Sequence, residues 1–180
     1  DDKEIADVAL SCGATVPFFK SPENSNDYAS TPAVIEEVLN SYKKNGKNFL
    51  YACCIYPTAP FITSQRLQEG FKSLLETNAD FVIPVTKFSY PIQRAIKIVN
   101  DRMEMFWPEH YSSRSQDLTP AYHDCGQFYW MKSESILQRK PFFSEGTVPL
   151  VVPELEVQDI DNPEDWEMAE LKYQLIHKKI

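Results

Sequence analysis

Apolar residues follow two different spacings along this chain, and the changes between them outline its elements. Helical spacing comes first, in Asp1-Asp2-Lys3-Glu4-Ile5-Ala6-Asp7-Val8-Ala9, and predicts a helix from Asp2 to Ser11 that stops at Gly13. Acidic residues fill its first turn, where the helix macrodipole favours them. Thr15 to Phe19 is a short apolar run with strand character, followed by a polar loop from Lys20 to Ser30. Thr31-Pro32 is a helix start, with Thr as cap and Pro at the first helical position. Val34, Ile35, Val38, Leu39 and Tyr42 form its apolar stripe, and Lys43-Lys44-Asn45-Gly46 closes it. Thr63 caps a further helix that runs to about Thr77, and a last helix begins at Asn162-Pro163-Glu164-Asp165.

Between the helices the pattern becomes unbroken. Phe49 to Ile55 and Asp80 to Val85 are continuous apolar runs of strand length, which predicts strands buried on both faces, as in a parallel sheet. With the intervening helix they make a β-α-β unit. Gln127 to Met131 and Val148 to Val152 are two more strands. Ala95 to Val99 and Met103 to Phe106 pair as a hairpin across Asn100-Asp101. Trp107 to Tyr122 is a long polar loop, of a length that is more often functional than not. The expected architecture is a single α/β domain over residues 1–180, three-layered α/β/α, with a mostly parallel sheet and a small β-rich insertion.

Composition narrows the classes. A chain of 180 residues that is 43% hydrophobic and 24% charged suits one globular domain with a substantial core. No apolar run approaches the roughly 20 residues a membrane helix needs, and a net charge of −8 argues against nonspecific nucleic-acid binding. Cys12, Cys53, Cys54 and Cys125 contain no C-x-x-C and no zinc-ligand spacing, which predicts reduced thiols in a cytoplasmic protein. The chain begins on Asp1 with no strand ahead of its first helix, so a piece truncated at its N-terminus is expected.

The most informative stretch is Gln158-Asp159-Ile160-Asp161-Asn162-Pro163. If it is extended, Asp159 and Asp161 point to one side and Ile160 to the other. Two carboxylates held so close repel unless a cation lies between them, and such oxygen ligands suit Mg²⁺. The competing reading is that Asp161 or Asn162 only caps the last helix. Further candidates lie on loops expected at the carboxyl ends of strands, where open α/β sheets bind ligands. Thr58 offers a hydroxyl in the proline-stiffened loop Tyr56-Pro57-Thr58-Ala59-Pro60. Arg114 could fork onto a carboxylate or phosphate, and His123 could meet a hydroxylated ligand. Arg94 is a weaker candidate, and Phe142-Phe143 fits a pocket, a partner contact or local packing equally well. There is no Gly-rich phosphate loop, no G-x-S-x-G and no H-E-x-x-H.

Taken in order, these segments resemble the acylneuraminate cytidylyltransferases, which activate nonulosonic acids, over the whole chain. Asp1-Asp2-x-Glu4-Ile5-Ala6 looks like the family segment after its second strand. Tyr56-Pro57-Thr58-Ala59-Pro60 is similar to its Q-P-T-S-P loop, Gly126-Gln127-Phe128-Tyr129 to its G-x-x-Y strand, and Asp159-Ile160-Asp161 with Glu164-Asp165 to its D-I-D metal site. Tyr56 replaces the usual Gln, His123 stands where sialic acid enzymes tend to carry Arg, and Cys125 where they carry Asn. Gln93, followed by Arg94, lies near the family's Lys. Tyr-Pro-Thr-Ala-Pro-Phe and His-Asp-Cys-Gly look most like the pseudaminic acid branch.

The resemblance implies a nucleotide-diphospho-sugar transferase-like fold, a homodimer formed through the insertion, and transfer of CMP from CTP to a nine-carbon α-keto acid sugar. It implies Mg²⁺ on Asp159 and Asp161, Arg114 as a carboxylate or phosphate partner, and nucleotide contacts from Ser30 or Thr31. Tyr56, Thr58, Gln93, Arg94, His123 and Tyr129 would face the substrate, and Phe142 and Phe143 would reach a neighbouring subunit's pocket. The family's R-x-G-S-K-type loop, which grips the CTP phosphates, has no counterpart in this sequence, so the polypeptide alone is expected to be inactive. A noncatalytic binding subunit and an Asp-x-Asp glycosyltransferase remain as alternative readings.

Overall fold

The structure is a computed structural model that describes residues 1–26 and 28–177. In chain order it contains α1 (Lys3–Ser11), α2 (Thr31–Lys44), β1 (Tyr51–Ile55), α3 (Ser64–Thr77), β2 (Phe81–Lys87), β3 (Ile96–Val99), β4 (Arg102–Met105), β5 (Tyr122–Asp124), β6 (Phe128–Lys132), α4 (Ser133–Leu137), β7 (Thr147–Val151) and α5 (Pro163–His177). The predicted starts are local. Asp2 caps α1 by accepting from Ile5 N at 3.0 Å, and Thr63 caps α3 by accepting from Arg66 N at 3.2 Å. Thr31 is the first residue of α2 rather than its cap, a position that Ser30 takes. Thr15 to Phe19 forms no strand. Its apolar residues anchor a loop instead, with the Phe18 ring edge-on to Tyr42 of α2 at 5.1 Å.

β2 is the central strand, and Phe81, Val82 and Ile83 are almost completely buried. On one edge it pairs in parallel with β7 along Phe81 to Val85. On the other edge it pairs antiparallel with β6 through Phe81 and Val82, and antiparallel with β5 through Val85 to Lys87. β1 lies beyond β6 and pairs antiparallel with it from Tyr51 to Ile55. The sheet is therefore mixed, and the expected mostly parallel arrangement is corrected. β1, β2 and β7 do run the same way, as the β-α-β crossover through α3 requires, but β6 enters between β1 and β2 in the opposite direction. The expected burial on both faces is found in β2 but not in β1, an edge strand that is half-buried, with Ile55 and the preceding Phe49 and Leu50 exposed. At most, unbroken hydrophobicity signals apolar surroundings. It carries no information on the direction of the neighbour.

The three layers follow from strand alternation. Phe81 and Ile83 of β2, with Tyr129 and Met131 of β6, face Ile35 and Leu39 of α2 and Ile136 of α4. Val82 faces Leu74 of α3, with Phe71, Trp130 and Leu150 packed around it. The hairpin β3–β4 stands apart as a two-stranded sheet. Its turn residues Asn100 and Asp101 both have left-handed backbone, at φ 51 and 58, the conformation a two-residue type I′ turn needs. Among the described residues no helix is long and apolar enough to cross a membrane.

Candidate active site

β5 and β6 are one strand interrupted by a bulge. Val85 of β2 faces Asp124 and Val82 faces Trp130, so three steps along β2 are matched by six on the opposite strand. The three surplus residues are Cys125, Gly126 and Gln127. Pro84 sits opposite them. A proline has no N–H to give to a ladder and is rare in a central strand, but here its neighbour has left the ladder. The Pro84 carbonyl still accepts from Cys125 N at 3.1 Å.

Each bulge residue is used. Cys125 turns into the core against Val152 and Val157. Burial, and then the charge of Asp124, push its thiol up to about 12, so it is no nucleophile at neutral pH. Gln127 is buried and donates to the Glu156 carbonyl, while its own carbonyl accepts from Tyr56 N at 2.9 Å. Gly126 adopts a left-handed φ of +60, and a Cβ on it would lie 2.9 Å from Asp159 Oδ2. Only glycine combines that backbone with room for the carboxylate.

The segment ahead of Asp159 is clamped from two more sides. Arg66 of α3 forks onto Glu156, with Nε to Oε2 at 2.7 Å and Nη2 to Oε1 at 2.9 Å. Lys172 of α5 reaches the Val157 carbonyl at 2.6 Å. The Asp159-Ile160-Asp161 alternation is then as expected: both aspartates line one cleft, and Ile160 lines a separate apolar cavity against Phe61, Trp166 and Ala169. The capping duty falls to Asn162, whose Oδ1 accepts from Glu164 N at 2.9 Å and Asp165 N at 3.1 Å. Asp165 Oδ2 in turn holds the backbone N–H of Asp161 at 3.0 Å. Among the described residues nothing hydrogen-bonds the Asp161 carboxylate, which stays open to the cleft.

The cleft encloses about 370 Å³, and Tyr56, Thr58, Asp124 and Tyr129 complete its lining with Gly126. Thr58 Oγ1 donates to Asp159 Oδ1 at 3.3 Å. Tyr129 is buried and gives its hydroxyl to Asp124 Oδ2; burial first, and this bond second, hold its phenol well above the ordinary tyrosine range. Tyr56 stands edge-on to Tyr129 at 5.4 Å, and its hydroxyl meets Thr31 Oγ1 at 2.5 Å. Three carboxylates face this space, and among the described residues no Lys, Arg or His lines it.

The other candidates lie outside the cleft lining. Arg114 is exposed and forks onto Asp117, at 2.7 and 3.1 Å. His123 packs on Phe88, ring centroids 4.7 Å apart, with Nδ1 at 2.9 Å from the Asp124 carbonyl oxygen. Arg94 lines a neighbouring cavity with Phe88, Tyr90 and Ser115, and Gln93 Nε2 donates to the Thr119 carbonyl at 2.9 Å. Ser30 is exposed at the start of α2. The two phenylalanines part company: Phe142 packs into this chain's own core against Phe81 and Tyr129, whereas Phe143 is 71% exposed. The sequence reading missed Asp124 as a cleft residue. Its signal was an acid two residues ahead of a glycine, in a strand paired across from Pro84.

Mg²⁺ fits the donor set in one respect: it needs only one or two protein carboxylates and takes its other ligands from water and phosphate. Among the described residues no group of three or more His, Cys, Asp or Glu comes together to hold an ion by itself. Asp159 and Asp161 are the residues that would hold it.

No protein-family model matches the chain. Among solved structures it is similar to CMP:2-keto-3-deoxy-manno-octonic acid synthetase complexed with CTP, at a TM-score of 0.58 and 10% identity, over 99% of this chain and 79% of that one. The fold is thus that of a CMP-sugar synthetase. It is 37% identical to a pseudaminic acid cytidylyltransferase of Campylobacter jejuni, over 99% of this chain and 77% of the relative. It is also 27% identical to a CMP-N,N'-diacetyllegionaminic acid synthase of Legionella pneumophila, over 94% of this chain and 74% of the relative. The chain belongs to the pseudaminic acid cytidylyltransferase family.

The space left by Gly126 is testable against an internal control. Gly46 is also left-handed, at φ +75, but a Cβ there would meet nothing within 4 Å. Gly126→Ala and Gly46→Ala should each lose about 1–2 kcal/mol of stability from backbone strain. Only Gly126→Ala should also lower pyrophosphate release from CTP in the complete enzyme, by about tenfold or more, because the methyl displaces Asp159. Equal turnover of the two variants, both folded, would show that the close approach is immaterial.

Proposed function

We infer that the chain is the cytidylyltransferase domain that activates pseudaminic acid with CTP. The anomeric hydroxyl oxygen of the sugar bonds to the α-phosphorus of CTP, the bond from that phosphorus to the bridging oxygen breaks, and pyrophosphate leaves while the hydroxyl proton is lost. The observation that carries this reading is the identity of 37% along nearly the whole chain to an enzyme of that name. The cleft supports it physically. Phosphoryl chemistry of this kind needs positioning and charge neutralisation more than covalent help, and among the described residues no Ser, Cys or Lys lines the space.

Two substrates that are both anionic would be repelled by three carboxylates. A divalent cation on Asp159 and Asp161 resolves this, and we propose Mg²⁺ as the cofactor. When bound, it neutralises phosphate charge and favours the ionised form of the attacking hydroxyl. The protein's own part is orientation. Thr58 and the bulge fix Asp159, Asp165 holds the backbone of Asp161, and Tyr56 and Tyr129 add aromatic lining to the same cleft for the sugar. All four cysteines are unpaired, which suits the reducing cytoplasm where we place the reaction; a secreted, disulfide-bonded form would contradict it.

We further propose a homodimer built on the β3–β4 hairpin. A lone two-stranded sheet is marginal in water. Here Ile98 and Met103 face each other across it, and both are 75% exposed. The proposed interface is supported by this apolar cross-strand pair and by the nearby exposed Phe106 and Trp107. Phe143 is the member of the phenylalanine pair free to join it.

Two measurements follow. In a pyrophosphate-release assay of the complete enzyme, kcat/KM for pseudaminic acid should exceed that for N-acetylneuraminate by about tenfold or more, and comparable values would refute the sugar assignment. In sedimentation at several concentrations, Ile98→Lys with Met103→Lys should convert dimer to monomer while leaving the melting temperature of the main sheet unchanged. A dimer unaffected by both charges would place the interface elsewhere.

A further inference from the structure

One polar group in the cleft has no role in the account above. Asp124 lines the cleft beside Tyr129, to which it is hydrogen-bonded, and beside the bulge residue Gly126. Both of its oxygens are fixed: Oδ2 accepts from the Tyr129 hydroxyl, and Oδ1 accepts from Gly126 N at 3.1 Å. Each oxygen keeps a further acceptor site. The Tyr56 hydroxyl is turned to Thr31, and Thr58 is engaged with Asp159. Beside Tyr129, Asp124 is therefore the charged group with acceptor capacity to meet a ligand, among the described residues.

From this geometry we infer that Asp124 is a specificity-determining residue that accepts a hydrogen bond from a neutral donor of the sugar, a hydroxyl or an acylamino N–H. Its charge excludes the alternatives. A carboxylate held there repels the acid group of the sugar and the phosphates of CTP, so it selects the part of the substrate that carries N–H or O–H donors. Its rigidity also separates it from a proton acceptor. An oxygen pair tied to a buried phenol and a backbone amide presents a fixed acceptor and does not swing with a transferring proton. Tyr129 is then a positioning residue: it acts on the sugar through Asp124.

This inference rests on the cytidylyltransferase reading, and its test uses the complete enzyme with binding and kinetics measured side by side. Asp124→Asn keeps the shape and one acceptor while removing the charge. The sugar KM and its calorimetric Kd should both rise by about tenfold, with the CTP KM and the melting temperature unchanged. Tyr129→Phe leaves the carboxylate intact but unanchored, and should raise the sugar KM less than Asp124→Asn does. Attaching the sugar through hydroxyl or through acylamino is resolved by a panel: de-N-acylated pseudaminic acid should lose the difference between parent and variant if an acylamino N–H is the donor, and keep it if a hydroxyl is. An unchanged sugar KM in folded Asp124→Asn would overturn the inference, as would a fall in kcat at constant sugar KM, which marks a proton acceptor. Failure of the parent to release pyrophosphate with any nonulosonic acid, despite binding CTP, would instead sink the reading on which the inference rests.

Discussion

The sheet gives up its ladder for three residues, and the site depends on that interruption. A regular β5–β6 strand would carry side chains in strict alternation past β2 and would keep its backbone flush with the sheet. Cys125, Gly126 and Gln127 break that regularity in three directions. One anchors the bulge in the core, one leaves a gap for a carboxylate, and one reaches the segment that carries the carboxylate. The bulge thereby joins three stretches far apart in the chain: the Tyr56 loop, the Asp124 strand and the Asp159 turn. Bulges often re-aim side chains beside active sites, and this one brings the charges together.

Concentrating negative charge has a cost that the rest of the site is arranged to meet. Asp124 is compensated by a phenol and a backbone amide. Asp159 has Thr58, and the helix cap is assigned to Asn162, so Asp161 is released from structural duty. Arg66 does not line the cleft; it forks onto Glu156 and stiffens the approach to Asp159. The outcome is an electronegative space suited to a cation.

Much of this was legible in the sequence wherever the cause is local. The cap at Thr63, the Asn100-Asp101 turn and the sidedness of Asp159 and Asp161 depend on a few neighbouring residues, and they appear as read, while Asp2, read as the first helical residue, is the cap of α1. What failed depends on distant partners. The unbroken run in β2 records burial and that in β1 does not, since β1 is a half-buried edge strand with Ile55 exposed, and neither run could reveal that an antiparallel strand would enter between them. Thr15 to Phe19 has strand composition, but Phe18 found Tyr42 before any strand found an edge. Phe142 and Phe143 look alike in sequence and take opposite environments. Pro84 was the overlooked clue, since a proline in a buried central run signals a ladder interrupted beside it. Arg114 shows the reverse difficulty: the composition of its loop suggested a ligand contact, whereas Asp117, three residues on, takes its fork.

The claim that these pieces serve a shared cation is tested most directly by titrating Mn²⁺, a spectroscopic stand-in for Mg²⁺, into the complete enzyme and counting free ion by electron paramagnetic resonance, with and without CTP. The account predicts one site that tightens when CTP is present and is lost in Asp159→Asn and in Asp161→Asn, while both variants keep the parent's melting temperature. Mn²⁺ binding that is unchanged in either variant would contradict it.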